Sequence, residues 1–219
     1  MRKLLAVAFI SGSAFACSLS DAAGPQLPAT PAVFSSSTEQ VKGKSQRVPV
    51  SLLKKVLRQE DENSLEILQA CITGSDERKP QDLDNWSDSQ FRLAQNYFIL
   101  QLIYSQSEQN YWYLLRPALE PYCGAFYGAH IFHYWLVKPI DAVYPKLPGK
   151  VEKWKILRKS AADALAVYRV SDKEWLMSET GCSASQCKST WYRLGASYQL
   201  PRFCSENGAF TKGERIVNC

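Results

Sequence analysis

Residues 87–103 read SDSQFRLAQNYFILQLI, and the predicted fold class depends on how this segment is interpreted. Ser87 and Gln90 form a capping box, in which each side chain accepts a hydrogen bond from an unpaired backbone N–H at the start of a helix. Apolar residues then recur at helical spacing, namely Phe91, Ala94, Phe98 and Leu102. Further apolar residues occupy adjoining positions, as in helices that are buried on all sides. The pattern therefore predicts one long helix through Ile103, deep in the core.

Helical spacing also recurs near the start of the folded part. Pro49 suits the first turn of a helix, because its missing N–H would be unpaired there. Apolar residues follow it on one face, namely Val50, Leu53, Val56 and Leu57. A second apolar segment covers 65–72, and Gly74 ends it. These two segments predict two short amphipathic helices before the polar residues that precede Ser87.

The second half of the chain supports the same interpretation. Residues 150–169 carry apolar side chains along one helical face, and Ser171 with Glu174 forms a capping box for a helix through Met177. Shorter helices are predicted near 109–116 or 109–120, near 123–137 and at 189–197. Alternating strand-like runs are scarce. The prediction is an all-α protein, an irregular helical bundle with a disulfide-stapled C-terminal cap and a disordered N-terminal tether.

The first residues predict export. Arg2 and Lys3 precede a short apolar run, which is typical of a secretory leader over 1–16 and is too short to span a membrane. Cys17 follows Ala14-Phe15-Ala16, as in a bacterial lipoprotein box, and is a candidate for lipidation. Ordinary cleavage, after Ala16 or near 21–23, is the alternative. The predicted location is the bacterial periplasm or a lipid anchor on the outer membrane, with an extracellular location as the alternative.

Composition divides the rest of the chain into two parts. Residues 17–48 are rich in Ser, Pro, Gly, Ala and Thr, so they bury little apolar area and predict a flexible tether. Residues 49–219 are predicted to form a single helical domain with a Cys-rich tail at 182–219. The net charge of +5 is too mild for a nucleic-acid surface.

Cysteine content indicates an oxidising compartment. The chain has seven cysteines, and lipidation or removal of Cys17 leaves an even number suited to three disulfides. The candidates are Cys71, Cys123, Cys182, Cys187, Cys204 and Cys219. The sequence does not choose among the possible pairings, but it predicts at least one bridge within the tail.

His130 and His133 are the only histidines in the chain. In a helix they would share a face, and two imidazoles at that spacing could bind a metal or supply a general base. No Glu follows His130 as in the metalloprotease motif, and the chain has no third histidine. A pair of structural or partly exposed histidines packed among aromatic residues is therefore the main interpretation, and the alternatives are a pH- or ligand-sensing pair and a metal site.

Two features predict contact with another protein. Basic residues crowd the first half of the predicted 150–169 helix, and lysine clusters attract acidic protein surfaces or anionic lipid headgroups. Tyr and Trp are concentrated at 111–135, and both are favoured at interfaces. The candidate contact residues are Lys150, Lys153, Lys155, Arg158, Lys159, Trp112 and Tyr113. The alternatives are a solvated helix face and a Tyr-rich core.

Motifs for catalysis and for cofactor binding are missing from the sequence. Residues 195–199 resemble a serine nucleophile elbow but lack its final glycine, and no glycine-rich phosphate loop is present. No cofactor is predicted, and an enzyme is not favoured.

The leading hypothesis is an exported, envelope-anchored, non-catalytic domain that binds another envelope or secreted protein as an inhibitor, immunity protein or assembly factor. Membrane contact is expected only through a lipid on Cys17, and no nucleic-acid partner is expected. The alternatives are a secreted hydrolase or metal-binding protein using His130 and His133, and a carrier of a small apolar ligand.

Overall fold

The computed structural model describes residues 30–38, 45–75, 82–107, 110–140, 148, 151–172, 175–184, 187–194, 202–204 and 217–218. In this part of the chain, strands outnumber helices. The helices are α1 (Val50–Leu57), α2 (Glu62–Thr73) and α3 (Asp88–Ala94). The strands are β1 (Val33–Ser36), β2 (Ser45–Gln46), β3 (Phe98–Ser107), β4 (Asn110–Pro117), β5 (Phe132–Pro139), β6 (Trp154–Ala162), β7 (Ala164–Arg169), β8 (Trp175–Cys182), β9 (Cys187–Leu194), β10 (Arg202–Cys204) and β11 (Val217–Asn218). The all-α prediction, with its description of the protein as helical, is wrong.

The strands form two antiparallel sheets. The large sheet has the order β1-β7-β8-β9-β10-β11, and the small sheet has the order β2-β3-β4-β5-β6. The chain passes from the small sheet to the large one at Asp163, between β6 and β7. There the Asp163 N–H donates to the carbonyl of Thr180 at 2.9 Å, and Asp163 Oδ2 accepts from the Cys182 N–H at 2.6 Å. These bonds hold the corner between the two sheets.

The small sheet is buried on both faces. One face packs against the large sheet, with a core that includes Trp112, Leu114, Tyr134, Leu165 and Met177. The other face packs against the helices, with a core that includes Leu52, Phe91, Tyr113, Trp135 and Trp154. Strands covered on both sides have apolar residues at consecutive positions, so they lose the alternation that marks a strand in a sequence. This explains why the aromatic residues of β4 and β5 were predicted as helices.

The segment at 87–103 is a helix followed by a strand. The capping box at Ser87 and Gln90 is confirmed, but α3 ends at Ala94, and a short 3₁₀ helix (Gln95–Tyr97) leads into β3. The Gln95 side chain donates to the carbonyl of Val48 and accepts from Arg47 Nε at 3.1 Å. The residues after Tyr97 pair with β4. The helix predicted through Ile103 is therefore wrong in its second half, because the largely apolar run 98–103 fits a buried strand as well as a buried helix, and pairing with β4 decides between them.

The two helices before this segment are confirmed. α1 starts directly after Pro49, and α2 ends at Gly74, whose φ of 66° lies in the left-handed region that favours glycine. The helices predicted at 150–169, through Met177 and at 189–197 are replaced by β6, β7, β8 and β9. β6 is an edge strand that carries lysines and a bulge, two features that protect sheet edges from unwanted pairing. The charged residues of β6 resemble the polar side of an amphipathic helix, which is why this segment was predicted as one.

Part of the predicted tether belongs to the folded domain. Within 17–48, β1 pairs with β7 and β2 pairs with β3. The fully buried Arg116 donates from Nη1 to Ser35 Oγ and, at 2.8 Å, to the Ser36 carbonyl. Its guanidinium also lies 4.4 Å from the centre of the Phe132 ring. Arg116 thus joins β1 to the small sheet, and residues 17–48 are not a tether over their whole length.

Two disulfides are present among the described residues. Cys71–Cys123 joins α2 to the segment that follows β4, and Cys182–Cys187 connects β8 to β9. The second bridge confirms the prediction of a disulfide within the tail. Cys17 and Cys219 lie outside the described residues, as does the side chain of Cys204.

None of the helices in the described part of the chain has the length and apolar character needed to cross a membrane.

Candidate functional site

The candidate site is a pair of adjoining open grooves beside α1. Their volumes are about 540 Å³ and about 610 Å³, and Ser51 and Glu152 line both. Among the described residues that line them, six are basic and one, Glu152, is acidic. The basic residues are Arg47, Lys54, Lys55, Arg58, Arg92 and Lys153. We call the two grooves together the basic groove.

The amphipathic pattern of α1 sets the composition of this site. Four apolar side chains of the helix are buried in the core, namely Leu52, Leu53, Val56 and Leu57. The remaining face carries Lys54 and Lys55, with Arg58 directly after the helix. Lys54 and Arg58 are four residues apart and therefore lie on the same side. Lys55 donates to the carbonyl of Trp154, which holds α1 against the start of β6. Burial of the apolar face thus turns the basic face toward the groove.

Two of these basic groups have exposed acidic partners. Lys54 Nζ lies 2.8 Å from Asp88 Oδ1, and Arg58 Nη2 lies 2.9 Å from Asp84 Oδ1. The hydrogen bond from Lys54, followed by its charge, lowers the pKa of Asp88. Both carboxylates are mostly exposed, so water screens these pairs and they add little to stability. A carboxylate from a ligand can therefore replace them at low cost.

Arg47 and Arg92 flank the other end of the groove. Arg47 Nε is held by Gln95 Oε1 at 3.1 Å, and Gln95 is buried. Both arginines are exposed, so their guanidinium groups can reach an anion in the groove. Ser51 Oγ donates to the Val151 carbonyl at 2.8 Å where the two halves of the groove meet. The site therefore has positive charge at both ends.

The structure separates the basic residues predicted at 150–159. Lys153 lines the basic groove, and Lys155 is exposed opposite Lys138 in the β5–β6 pairing. Burial and then the charge of Lys155 lower the pKa of Lys138. Lys150 lies outside the described residues. The described ones do not form one helix face, because Lys153 precedes β6 and Lys155, Arg158 and Lys159 belong to it.

Arg158 belongs to an internal network between the sheets. Its Nη2 donates to Glu179 Oε2 at 2.7 Å, and the same oxygen accepts from the Tyr134 hydroxyl at 2.6 Å and from the Tyr192 hydroxyl at 3.2 Å. Burial, followed by the charge of Glu179, raises the pKa of Tyr134. Burial alone would lower the pKa of Arg158, but Tyr134 and Glu179 outweigh it and raise that pKa. The network ties β5 and β6 to β8 and β9.

Lys159 is exposed but reaches a buried partner, and the aromatic candidates are internal. Lys159 Nζ lies 2.9 Å from Oε2 of Glu60, whose side chain is fully buried, but the geometry does not form a hydrogen bond. The Trp135 Nε1–H donates to Glu60 Oε1 at 3.2 Å. Trp112 and Tyr113 are fully buried in cores on opposite faces of β4. Neither aromatic residue can contact a partner of the folded chain.

His130 and His133 do not share a helix face. His130 is exposed in the segment before β5, and His133 is on β5 with its ring centre 6.2 Å from that of Phe126. Within the described part of the chain, no three His, Cys, Asp or Glu side chains are grouped so that they could hold a metal ion. The prediction of a metal site or general base assumed that the two histidines share one face of a helix. Because His133 lies on the strand β5, that assumption does not hold.

Sequence reasoning missed most of the basic groove. Lys54, Lys55 and Arg58 form the polar side of a helix whose apolar side was recognised correctly, and that polar side was the available signal. Arg47, Arg92 and Glu152 come from three distant segments. No local pattern could have brought them together.

The fold and the site define a two-sheet domain with a helical layer and an open basic groove. No family model matches the chain, and neither the curated proteins nor the solved structures that were searched contain a match.

Proposed function

We propose that this protein is an exported, non-catalytic binding domain that captures an acidic segment of another protein in the basic groove. The observation that carries the proposal is the charge of the lining, where six of the described side chains are basic and one is acidic, and where the acidic partners of Lys54 and Arg58 are mostly exposed. Positive charge in a recessed surface attracts an acidic partner and accelerates its association.

The shape of the groove favours a polypeptide over the other ligands that the sequence suggested. Sites for small apolar ligands are enclosed and lined mainly by apolar side chains. Both halves of the basic groove are open, most of the described residues that line them are polar or charged, and none of the aromatic residues at 111–135 lines them. An extended chain can enter such a groove and place several carboxylates within reach of the bases. A flat membrane surface cannot follow a recess in the same way.

The export part of the proposal rests on the leader and the disulfides. Residues 1–16 and Cys17 lie outside the described residues. The bridges Cys71–Cys123 and Cys182–Cys187 support an oxidising compartment, where structural disulfides persist. Intact mass of the protein isolated from its own cells tests this part. A mass that retains the leader, or one that shows every cysteine reduced, would contradict export.

The binding part is tested with a short fluorescein-labelled peptide of alternating Glu and Ser, using fluorescence anisotropy. Replacing Lys54, Arg58 and Arg92 with Glu removes positive charge from both halves of the groove. We expect the affinity to fall at least tenfold, because each exposed charge contributes up to about 1 kcal/mol. The matched control replaces Lys155, Lys188 and Arg193, which are exposed outside the groove, with Glu. Equal losses in the two variants, or no binding by the unmodified protein, would refute the proposal.

A further inference from the structure

We infer that Glu152 determines specificity in the basic groove by selecting segments whose acidic residues flank a central basic residue. This inference rests on the proposed function and names the partner sequence more closely. Among the described residues, Glu152 and Ser51 are the two that line both halves of the groove.

The backbone beside Glu152 is held in place. The carbonyl of the preceding Val151 accepts hydrogen bonds from Ser51 Oγ at 2.8 Å and from Trp154 Nε1 at 3.2 Å. The Val151 N–H donates to the carbonyl of Pro148 at 3.1 Å. Val151 and Trp154 are both buried. The exposed carboxylate of Glu152 is therefore presented from a fixed point rather than from a free loop.

The charge of Glu152 is available to a ligand. No ion pair joins it to any residue that the structure describes. Glu152 shares one half of the groove with Arg47 and Arg92, and the other half with Lys54, Arg58 and Lys153. Among the described lining residues it is therefore the acidic group common to two basic halves, whereas Asp88 and Asp84, the partners of Lys54 and Arg58, are mostly exposed and do not line the groove. A complementary segment carries acidic, basic and acidic residues in turn, because like charges repel where they face each other.

The length of the groove matches a short extended segment. The distance along α1 from Val50 to Arg58 is about 12 Å at the helical rise of 1.5 Å per residue. An extended chain covers that distance in about four residues at roughly 3.3 Å each. One central basic residue with acidic residues on both sides therefore reaches all three charged regions at once.

The test compares two fluorescein-labelled peptides by anisotropy. In each peptide, acidic residues (Glu and Asp) stand on both sides of a central residue. The central residue is Lys in one peptide and Glu in the other. We expect the unmodified protein to prefer the Lys-centred peptide by roughly fivefold, the upper range for exposed charge pairs. Glu152→Gln should abolish the preference, and Glu152→Lys should reverse it. Glu62→Gln, which changes an exposed acid at the start of α2, is the control and should keep the preference.

The possible results separate the inference from the proposed function. If both peptides bind equally and Glu152→Gln changes neither affinity, while replacing Lys54, Arg58 and Arg92 with Glu still lowers the affinity at least tenfold, the role of Glu152 is refuted and the proposed function stands. If neither peptide binds, both are refuted. Circular dichroism of each variant checks that the fold is intact, and the exposure of Glu152 makes unfolding an unexpected result.

Discussion

Single charged residues that are buried or partly buried connect the layers of this protein. Arg116 joins β1 to the small sheet, and Arg158 pairs with Glu179 between the two sheets. Glu60 follows α1 and reaches Trp135 and Lys159 on the small sheet. A buried charge is costly unless it has partners, so each of these residues stabilises one arrangement of its neighbours over others. Substituting one of these residues should lower the free energy of unfolding more than substituting an exposed charged residue.

Glu60→Ala tests one of these connections. The change leaves the Trp135 indole N–H without its acceptor and removes the charge beside Lys159. We expect the free energy of unfolding to fall by about 2–3 kcal/mol, the usual cost of losing a buried hydrogen bond to a charged group. Urea denaturation measures it. The exposed Glu62→Ala is the control, and an equal effect of the two changes would show that the burial of Glu60 has no energetic role.

Tyr113 makes the stability of the folded protein depend on pH. Burial, followed by the neighbouring Tyr111, raises the pKa of Tyr113 to about 12. Between pH 10 and 12 the unfolded chain loses this proton while the folded chain keeps it, so stability decreases as the pH rises through this range. Tyr113→Phe should make that decrease shallower in urea denaturation at several pH values. The exposed Tyr122→Phe should leave it unchanged. Identical slopes for all three proteins would contradict the prediction.

At the scale of elements, the two disulfides act on very different lengths of chain. Cys71–Cys123 encloses a loop with a sequence separation of 52, whereas Cys182–Cys187 encloses one of 5. The first joins the helical layer to the segment after β4, and the second joins two strands that are already paired. Since a disulfide stabilises mainly by restricting the unfolded chain, the longer loop should matter more.

Removal of each bridge tests this difference. Replacing Cys71 and Cys123 with Ala should cost about 4 kcal/mol, whereas replacing Cys182 and Cys187 should cost about 2 kcal/mol, from the dependence of loop entropy on length. Urea denaturation of the two double variants under the same conditions measures both values, so each is the control for the other. A larger loss from the Cys182–Cys187 pair would contradict the entropic argument.

For the molecule as a whole, three layers concentrate charge on one side of α1. Aromatic residues on one face of the small sheet pack against the large sheet, and those on the other face pack against the helices. This double packing places the outer face of α1 at the surface beside the start of β6. The basic groove is therefore a product of the layered architecture, and its attraction for acidic segments should depend on salt.

The salt dependence is a direct prediction. Raising the ionic strength from about 0.05 M to about 0.3 M shortens the screening length, so it weakens long-range attraction more than it weakens ion pairs in direct contact. We expect the affinity for the Glu-Ser peptide to fall severalfold, mainly through slower association. Stopped-flow fluorescence measures the association rate. A variant with Lys54, Arg58 and Arg92 changed to Glu should show no such decrease, and a rate that is independent of salt in the unmodified protein would contradict the electrostatic mechanism.

The sequence by itself determined local features that depend on neighbouring residues. The capping box at Ser87, the start of α1 after Pro49 and the end of α2 at Gly74 were all predictable, because cap and turn chemistry acts within a few residues. A disulfide within the tail was also predictable, whereas its partners were not. The export signal and the candidate lipidation of Cys17 remain predictions.

Tertiary structure decided everything that depends on pairing between distant segments. Only the packing of the small sheet between two layers made strands of 98–107, 110–117 and 132–139, since burial on both faces removes their alternation. The same packing placed Arg47, Arg92 and Glu152 around α1. Hydrophobic spacing describes one segment at a time, and a sheet or a groove exists only where several segments meet.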